Sequence, residues 1–286
     1  MECNAMRSPR GPLSSFLVLL SAAGGACVPR ADAAPQPGAP PVLLELFTSQ
    51  GCSSCPPADA LVRDLPRLGL DRTRVVPLTF HVDYWNDLGW KDPFSSPVFT
   101  DRQRVYAQAG VLRSPRADHG LSGIYTPQMI INGAVQFSGA RRDLALAELA
   151  RAAALPPGAD LEAAAKVEPD RARVTARVTA RPAAGGTGAP AQRWRLFVAL
   201  AARSARTQVT RGENRGEQLE EAAVVRVLSD PIELEVPSDG APTPPVSIVV
   251  QRPSDLPWSS IELSAVLQSA ATLRVGAVRA IPFTVR

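Results

Sequence analysis

Val42-Leu43-Leu44-Glu45-Leu46-Phe47-Thr48-Ser49-Gln50-Gly51-Cys52-Ser53-Ser54-Cys55-Pro56-Pro57-Ala58-Asp59 reads as a strand, a tight loop and the opening of a helix. The apolar run Val42 to Thr48 is short and bounded by breakers, with a Pro-rich leader (34–41) before it and Ser49-Gln50-Gly51 after it, which suits a buried strand. Glu45 is its one charged residue. From Cys52 onward, Ala58, Leu61, Val62, Leu65 and Leu68 recur at helical spacing, and Gly69 supplies the stop. Two thiols therefore fall two residues apart where a strand feeds a helix. A thiol at a helix N-terminus is favoured as thiolate, so Cys52 is the candidate nucleophile and Cys55, one turn on, the resolving thiol. Zinc sites and structural disulfides share this spacing. A disulfide closing so small a loop removes little entropy from the unfolded chain, which favours a redox pair over an inert staple.

Working outward, Val75 to Asp83 is a second buried strand, weakened on one side by Pro77. His81 and Asp83 share one side of it near its C-terminal end, where open α/β sheets gather ligands; the alternative is that either hydrogen-bonds the backbone of the insertion that follows. Residues 84–123 read as an insertion, with Ser96 and Pro97 opening a helix that passes Tyr106 and stops at Gly110. Its Trp85 and Trp90 either line a peptide groove over the thiols or form the insertion's own core. Thr126-Pro127 leads into a strand, Asn132-Gly133 makes a hairpin turn, and Arg142 to Leu155 is a helix ended by Pro156-Pro157-Gly158. The order strand, helix, strand, helical insert, hairpin, helix makes 42–156 an α/β domain. Beyond it, short alternating runs at about ten-residue spacing point to an all-β sandwich over 157–286, with Gly/Pro-rich connectors at Pro182–Pro190 and Pro237–Pro245. Glu213-Asn214-Arg215-Gly216 reads as a hairpin tip in that sandwich.

The composition suits a globular chain: 45% of the 286 residues are apolar, and a net charge of +4 arises from arginines scattered among acids. No run of like charge marks a nucleic-acid or membrane-surface partner. At the N-terminus, Arg7 and Arg10 precede the apolar stretch Leu13 to Ala23, and Ala31-Asp32-Ala33 offers a cleavage site, so residues 1–33 read as an export signal. The stretch is too short to span a bilayer, and no transmembrane span is expected in the mature chain. Cys27 after Gly24-Gly25-Ala26 raises lipidation as an alternative, without the aliphatic residue usual three positions earlier. Export leads to the periplasm or cell envelope, where paired thiols are oxidised. If Cys3 and Cys27 leave with the signal, Cys52 and Cys55 are the cysteines that remain.

Four motifs carry a resemblance: Glu45 to Asp59, His81-Val82-Asp83-Tyr84-Trp85, Gly89-Trp90-Lys91-Asp92-Pro93, and Tyr125-Thr126-Pro127-Gln128-Met129. Together they resemble the DUF1223 family of secreted, thioredoxin-like proteins of unassigned function. The resemblance spans residues 42–150 and continues more faintly at Gly212 to Gly216 and Val224-Val225-Arg226. It implies a thioredoxin-like fold, with Cys52 attacking, Cys55 resolving and Pro127 as a cis-proline facing them, which makes Thr126 a substrate-side candidate beside the groove reading of Trp85 and Trp90. Glu45, set among Leu43, Leu44, Leu46 and Phe47, is the candidate buried acid and proton shuttle for Cys55, as the buried acid of thioredoxin is; the alternative is an edge-facing surface residue. The Ser53-Ser54 dipeptide between the cysteines differs from better-known pairs of that class. The expected function is an exported thiol-disulfide oxidoreductase that forms mixed disulfides with envelope protein thiols and needs no cofactor beyond the cysteine pair. Two alternatives stand beside it. One is a non-catalytic envelope binding or assembly protein on a thioredoxin frame. The other is a Cu(I) metallochaperone using Cys52, Cys55 and His81. A zinc site adding His81 and His119 lacks finger spacing.

Overall fold

The computed structural model describes residues 40–115, 121–180, 192–237 and 239–284. The expected signal, most of the leader, Cys27, His119 and the 182–190 connector lie outside the described residues.

The chain begins with β1 (Val42–Thr48), α1 (Pro56–Asp64), β2 (Val75–His81) and α2 (Pro97–Ala109). It continues through β3 (Gln128–Ile131), β4 (Val135–Ser138) and α3 (Arg142–Ala153). Local chemistry accounts for these elements. Pro56 and Pro57 occupy the first turn of α1, where a missing N–H costs nothing. In α2 the Ser96 hydroxyl accepts from the Val98 amide at 3.3 Å, Pro97 follows, and Gly110 closes the helix in the left-handed region. Asn132 and Gly133 both take positive φ, the backbone that a two-residue hairpin turn requires. A Cβ on Gly133 would stand 2.0 Å from the Leu273 carbonyl oxygen, so no other residue fits there.

β1 and β2 run parallel, β3 pairs antiparallel with β1, and β4 closes that edge. The even residues Leu44 and Leu46 of β1 pack against Ala58, Leu61, Val62 and Leu65 of the α1 segment and against Ala145 and Leu149 of α3. The odd residues Leu43 and Phe47 pack with Phe99 and Tyr106 of α2 on the other face. Helices thus cover both faces of this part of the sheet, as an apolar strand without polar alternation demands.

The C-terminal half adds β5 (Ala159–Val167), β6 (Arg171–Ala180), β7 (Gln192–Gln208), β8 (Gln218–Leu228), β9 (Ile232–Val236), β10 (Val246–Gln251), β11 (Ile261–Ser269) and β12 (Val275–Ile281). Here the structure corrects the expected division at residue 156. The large sheet has nine strands and runs unbroken in the order β12-β11-β7-β8-β2-β1-β3-β4, with β9 also on β7. β8 pairs parallel with β2 at Thr79 and Val224, and this ladder is short on the side where Pro77 has no N–H to donate. Joining the halves hides two strand edges that separate domains would expose. A sandwich does form, but between one part of this sheet and the three-stranded sheet β10-β6-β5. Leu161, Val174 and Val178 face Val198, Leu200 and Leu263 in its core. Among the described residues no helix is long and apolar enough to cross a membrane. The protein is thus a mixed α/β structure with mostly β content.

Candidate active site around the cysteine pair

Cys52 and Cys55 are joined by a disulfide in the turn between β1 and α1, with Cα atoms 5.5 Å apart. The helix starts one residue after Cys55, so Cys55 occupies the cap and Cys52 the preceding turn, later than the sequence reading placed the first helical residue. The Cys55 carbonyl accepts from the Ala58 and Asp59 amides. Ser54 Oγ lies 3.2 Å from the Cys52 sulfur. Neither cysteine has exposed surface.

The C-terminal half is hydrogen-bonded to this turn. Asn214 Nδ2 donates to the carbonyls of Gln50 (2.9 Å) and Cys52 (3.0 Å). Glu213 Oε2 accepts from the Ser53 amide (2.9 Å) and hydroxyl (2.7 Å). The segment read as a hairpin tip is therefore part of the cysteine site. Its one sequence signal is the faint continuation of family resemblance at Gly212 to Gly216.

Both tryptophans of the insertion are half-buried against this turn. Trp85 packs beside Gly51, and its Nε1 donates to Thr126 Oγ1 at 2.8 Å, tying the cysteine turn to the loop before β3. Trp90 Nε1 donates to Gln50 Oε1 at 3.2 Å. Gly212, at φ +74°, sits so close to Trp90 that a Cβ would meet Trp90 Cβ at 3.0 Å. The Thr126–Pro127 peptide is cis. The Pro127 carbonyl accepts from Gly139, where a Cβ would meet Ala58 of α1 at 3.0 Å and Leu46 of β1 at 3.1 Å.

Glu45 is buried as expected but not behind the cysteines. It lies on the odd-numbered face of β1 beside α2, where Oε1 accepts from Arg102 Nε and Oε2 from the Tyr106 hydroxyl, each at 2.6 Å. Arg102 in turn stacks 4.4 Å from the Phe197 ring centroid. Strand alternation sends Glu45 and the even-numbered residues that meet α1 to opposite faces, so both carboxylate oxygens are committed to a buried ion pair remote from α1.

On the α1 side the acid is Asp59, one turn after Cys55 and 5% exposed. Its Oδ2 accepts from Thr48 Oγ1 at 3.3 Å. Around it lie His81, Asp92 and Glu221, all buried. His81 Nδ1 donates to Asp92 Oδ2 at 2.7 Å, and His81 Nε2 stands 3.8 Å from Glu221 Oε1. Gln50 joins them, with its amide nitrogen on Asp92 Oδ2 and its Nε2 on Glu221 Oε2, both at 2.8 Å. Burial, then repulsion from Glu221, raises the Asp59 pKa to about 7. Burial alone would lower His81, but attraction to Asp92, Glu221 and Asp59 outweighs it and raises the pKa to about 9. Burial raises Glu221 above the usual range, and His81 holds Asp92 below it despite burial. Asp59 and Glu221 had no sequence-based role. An acid on the inward face of a helix among Ala58, Leu61 and Val62 was the available signal for Asp59.

The Asp83 carboxylate accepts from the Thr100 hydroxyl of α2, which in turn accepts from the Asp83 amide, so it bonds a side chain of the insertion rather than its backbone. Among the described residues no group of three His, Cys, Asp or Glu side chains is arranged to hold a metal ion. His81 already commits Nδ1 to Asp92.

A protein from Agrobacterium tumefaciens, AGR_C_4864, has a crystal structure similar to this one, with a TM-score of 0.57 and 25% identity over 86% of this chain and 96% of that chain. A domain of the outer membrane lipoprotein Omp28 from Porphyromonas gingivalis overlaps far less, with a TM-score of 0.26 and 12% identity over 45% of this chain and 89% of that one. No curated protein matches the chain. The family model described as "Protein of unknown function (DUF1223)" matches residues 43–252, most of the chain, which therefore belongs to that family.

Proposed function

We propose that this protein is an exported thiol-disulfide oxidoreductase of the periplasm or cell envelope, built on a thioredoxin-like core. The observation that carries the reading is the Cys52–Cys55 pair at the β1–α1 turn with the buried carboxyl of Asp59 one turn further on. The strand order β2-β1-β3-β4, with β3 antiparallel to β1 and helices on both faces, supports the thioredoxin-like description.

In the reducing direction the Cys52 thiolate attacks one sulfur of a substrate protein disulfide. The Cys52–substrate bond forms, the substrate S–S bond breaks, and the departing thiolate takes a proton. Cys55 then gives its proton to Asp59, and its thiolate attacks Cys52. The Cys52–Cys55 bond forms and the second substrate thiolate leaves and is protonated. The substrate gains two electrons and the enzyme dithiol loses two, to be restored by a second dithiol protein; the reverse sequence oxidises substrates. Asp59 replaces Glu45 as the proton acceptor of this scheme.

Replacement of Cys55 by Ser removes the resolving thiol. The variant is expected to retain envelope proteins through Cys52 as reductant-sensitive adducts on a non-reducing gel, and the Cys52→Ser variant none. The full burial of both sulfurs favours one second reading, a non-catalytic frame whose disulfide is structural. That reading predicts no adducts from either variant and equal destabilisation by both.

A further inference from the structure

Among the described residues, three buried polar atoms near the cysteine turn have no hydrogen-bond partner: Asp59 Oδ1, and His81 Nε2 and Glu221 Oε1, which stand 3.8 Å from each other. They come from α1, β2 and β8, two of which flank each other in the sheet while the third packs over it. Their other polar atoms are held firmly, Asp59 by Thr48, His81 by Asp92 and Glu221 by Gln50. A buried polar atom without a hydrogen bond is costly, and three in one cluster of mutually interacting titratable groups call for an explanation beyond core packing.

Resting on the oxidoreductase reading, we propose that His81 and Glu221 are positioning residues for proton transfer at the cysteine pair: with Asp59 they form one buried proton-holding unit. Glu221 makes Asp59 accept the Cys55 proton readily, and His81 makes Asp59 release it again.

The charge count supports this assignment. The groups acting on Asp59 are Glu221 of β8, His81 of β2, Asp92 of the loop after β2 and the Thr48 hydroxyl of β1. With His81 protonated, three ionised carboxyls would leave a double negative charge in a buried space, so one carboxyl keeps its proton near neutrality. Asp59, with a pKa of about 7, holds that proton loosely enough to exchange it at the working pH. The proton passes from the Cys55 thiol to the Asp59 carboxylate as the Cys52–Cys55 bond forms, and returns when that bond is reduced. No electron enters or leaves the unit. Gln50 links the unit to the chemistry, since it lies two residues before Cys52 and bonds both Glu221 and Asp92.

His81 and Glu221 act on Asp59 with opposite sign, and that opposition makes the proposal testable. Oxidation of the reduced full-length protein by glutathione disulfide is followed from pH 5 to 9, and the Asp59 carboxyl is titrated by infrared difference spectroscopy in the oxidised form. Glu221→Gln keeps an oxygen for Gln50 to bond and removes the repelling charge. Both midpoints are expected at a proton concentration about five- to tenfold higher than in the parent. His81→Gln is expected to move both the other way, and Asp59→Asn to abolish both. Melting curves show which variants fold, and the near-isosteric Glu221→Gln decides alone if His81→Gln does not. Midpoints unmoved by Glu221→Gln, with exchange intact, overturn the roles given to Glu221 and His81 and leave the oxidoreductase reading in place. Absence of exchange in the parent at every pH overturns that reading and the proton transfer with it.

Discussion

Glu213 and Ser53 stand 160 positions apart in the chain, and a single carboxylate oxygen of the first accepts both the amide and the hydroxyl hydrogen of the second. The bond joins the β7–β8 loop to the residue after Cys52. With Asn214 on the Cys52 carbonyl, it ties this loop to the turn that carries the disulfide.

Loosening that loop should expose the buried cysteine turn and speed chemistry at the sulfurs. Glu213→Ala removes both hydrogen bonds to Ser53 and is expected to raise the rate of disulfide reduction by a small phosphine about three- to tenfold, because two bonds this exposed together are worth about as much as one modest hydrogen bond. The Ser53 hydrogen bonds hold the Glu213 carboxyl below the usual range, so its contribution is present above pH 4.5 and fades as pH falls through the lowered value. Parent and variant rates should therefore converge in acid. Equal rates at pH 7 would show that the loop does not limit access.

The buried cluster predicts an unusual dependence of stability on pH. Asp59 is raised from 3.8 to about 7, so the stability it contributes is complete below pH 3.8 and lost as pH rises through 7. His81 is raised from 6.5 to about 9, so its share is complete below 6.5 and lost as pH rises through 9. Melting temperature should fall from mildly acidic pH toward pH 9. Asp59→Asn should flatten the limb between about pH 4 and 7 and leave the limb above 7, as calorimetry across that range would reveal.

The ion pair of Glu45 and Arg102 should matter for stability alone. Arg102→Met leaves a buried carboxylate uncompensated and is expected to cost about 3–5 kcal/mol in chemical denaturation. The double variant Arg102→Met with Glu45→Leu should lose less than Arg102→Met by itself, because no orphaned charge remains. Glu45→Gln should leave thiol-exchange rates across neutral pH unchanged. A slowed exchange would restore the proton-shuttle role that the sequence pattern first assigned to Glu45.

What could be read from sequence was what neighbours in sequence decide. The Ser96-Pro97 opening and Gly110 ending of α2, the Asn132-Gly133 turn and the β1–cysteine–α1 succession each depend on a few adjacent residues, and the structure has them all. Alternation along β1 separated Glu45 from Leu44 and Leu46, but no local signal says which face α1 will cover and which α2. The pairing of β8 with β2, and hence Glu221 beside His81 and Glu213 over Ser53, rests on contacts more than a hundred residues apart, to which composition and periodicity are blind.

The unbroken sheet also orders events in time. Gln50 and Glu221, hydrogen-bonded in the finished protein, are separated by 171 positions, so a chain emerging from its N-terminus carries its cysteines long before their buried partners arrive. Closing so long a loop is slow, and until β7 and β8 dock the edge of β2 is open. A chain whose β7 and β8 have not yet docked would therefore hold its cysteine turn without Glu213 and Asn214. A fragment ending at Pro156 would be arrested there, with an adhesive strand edge in place of a site.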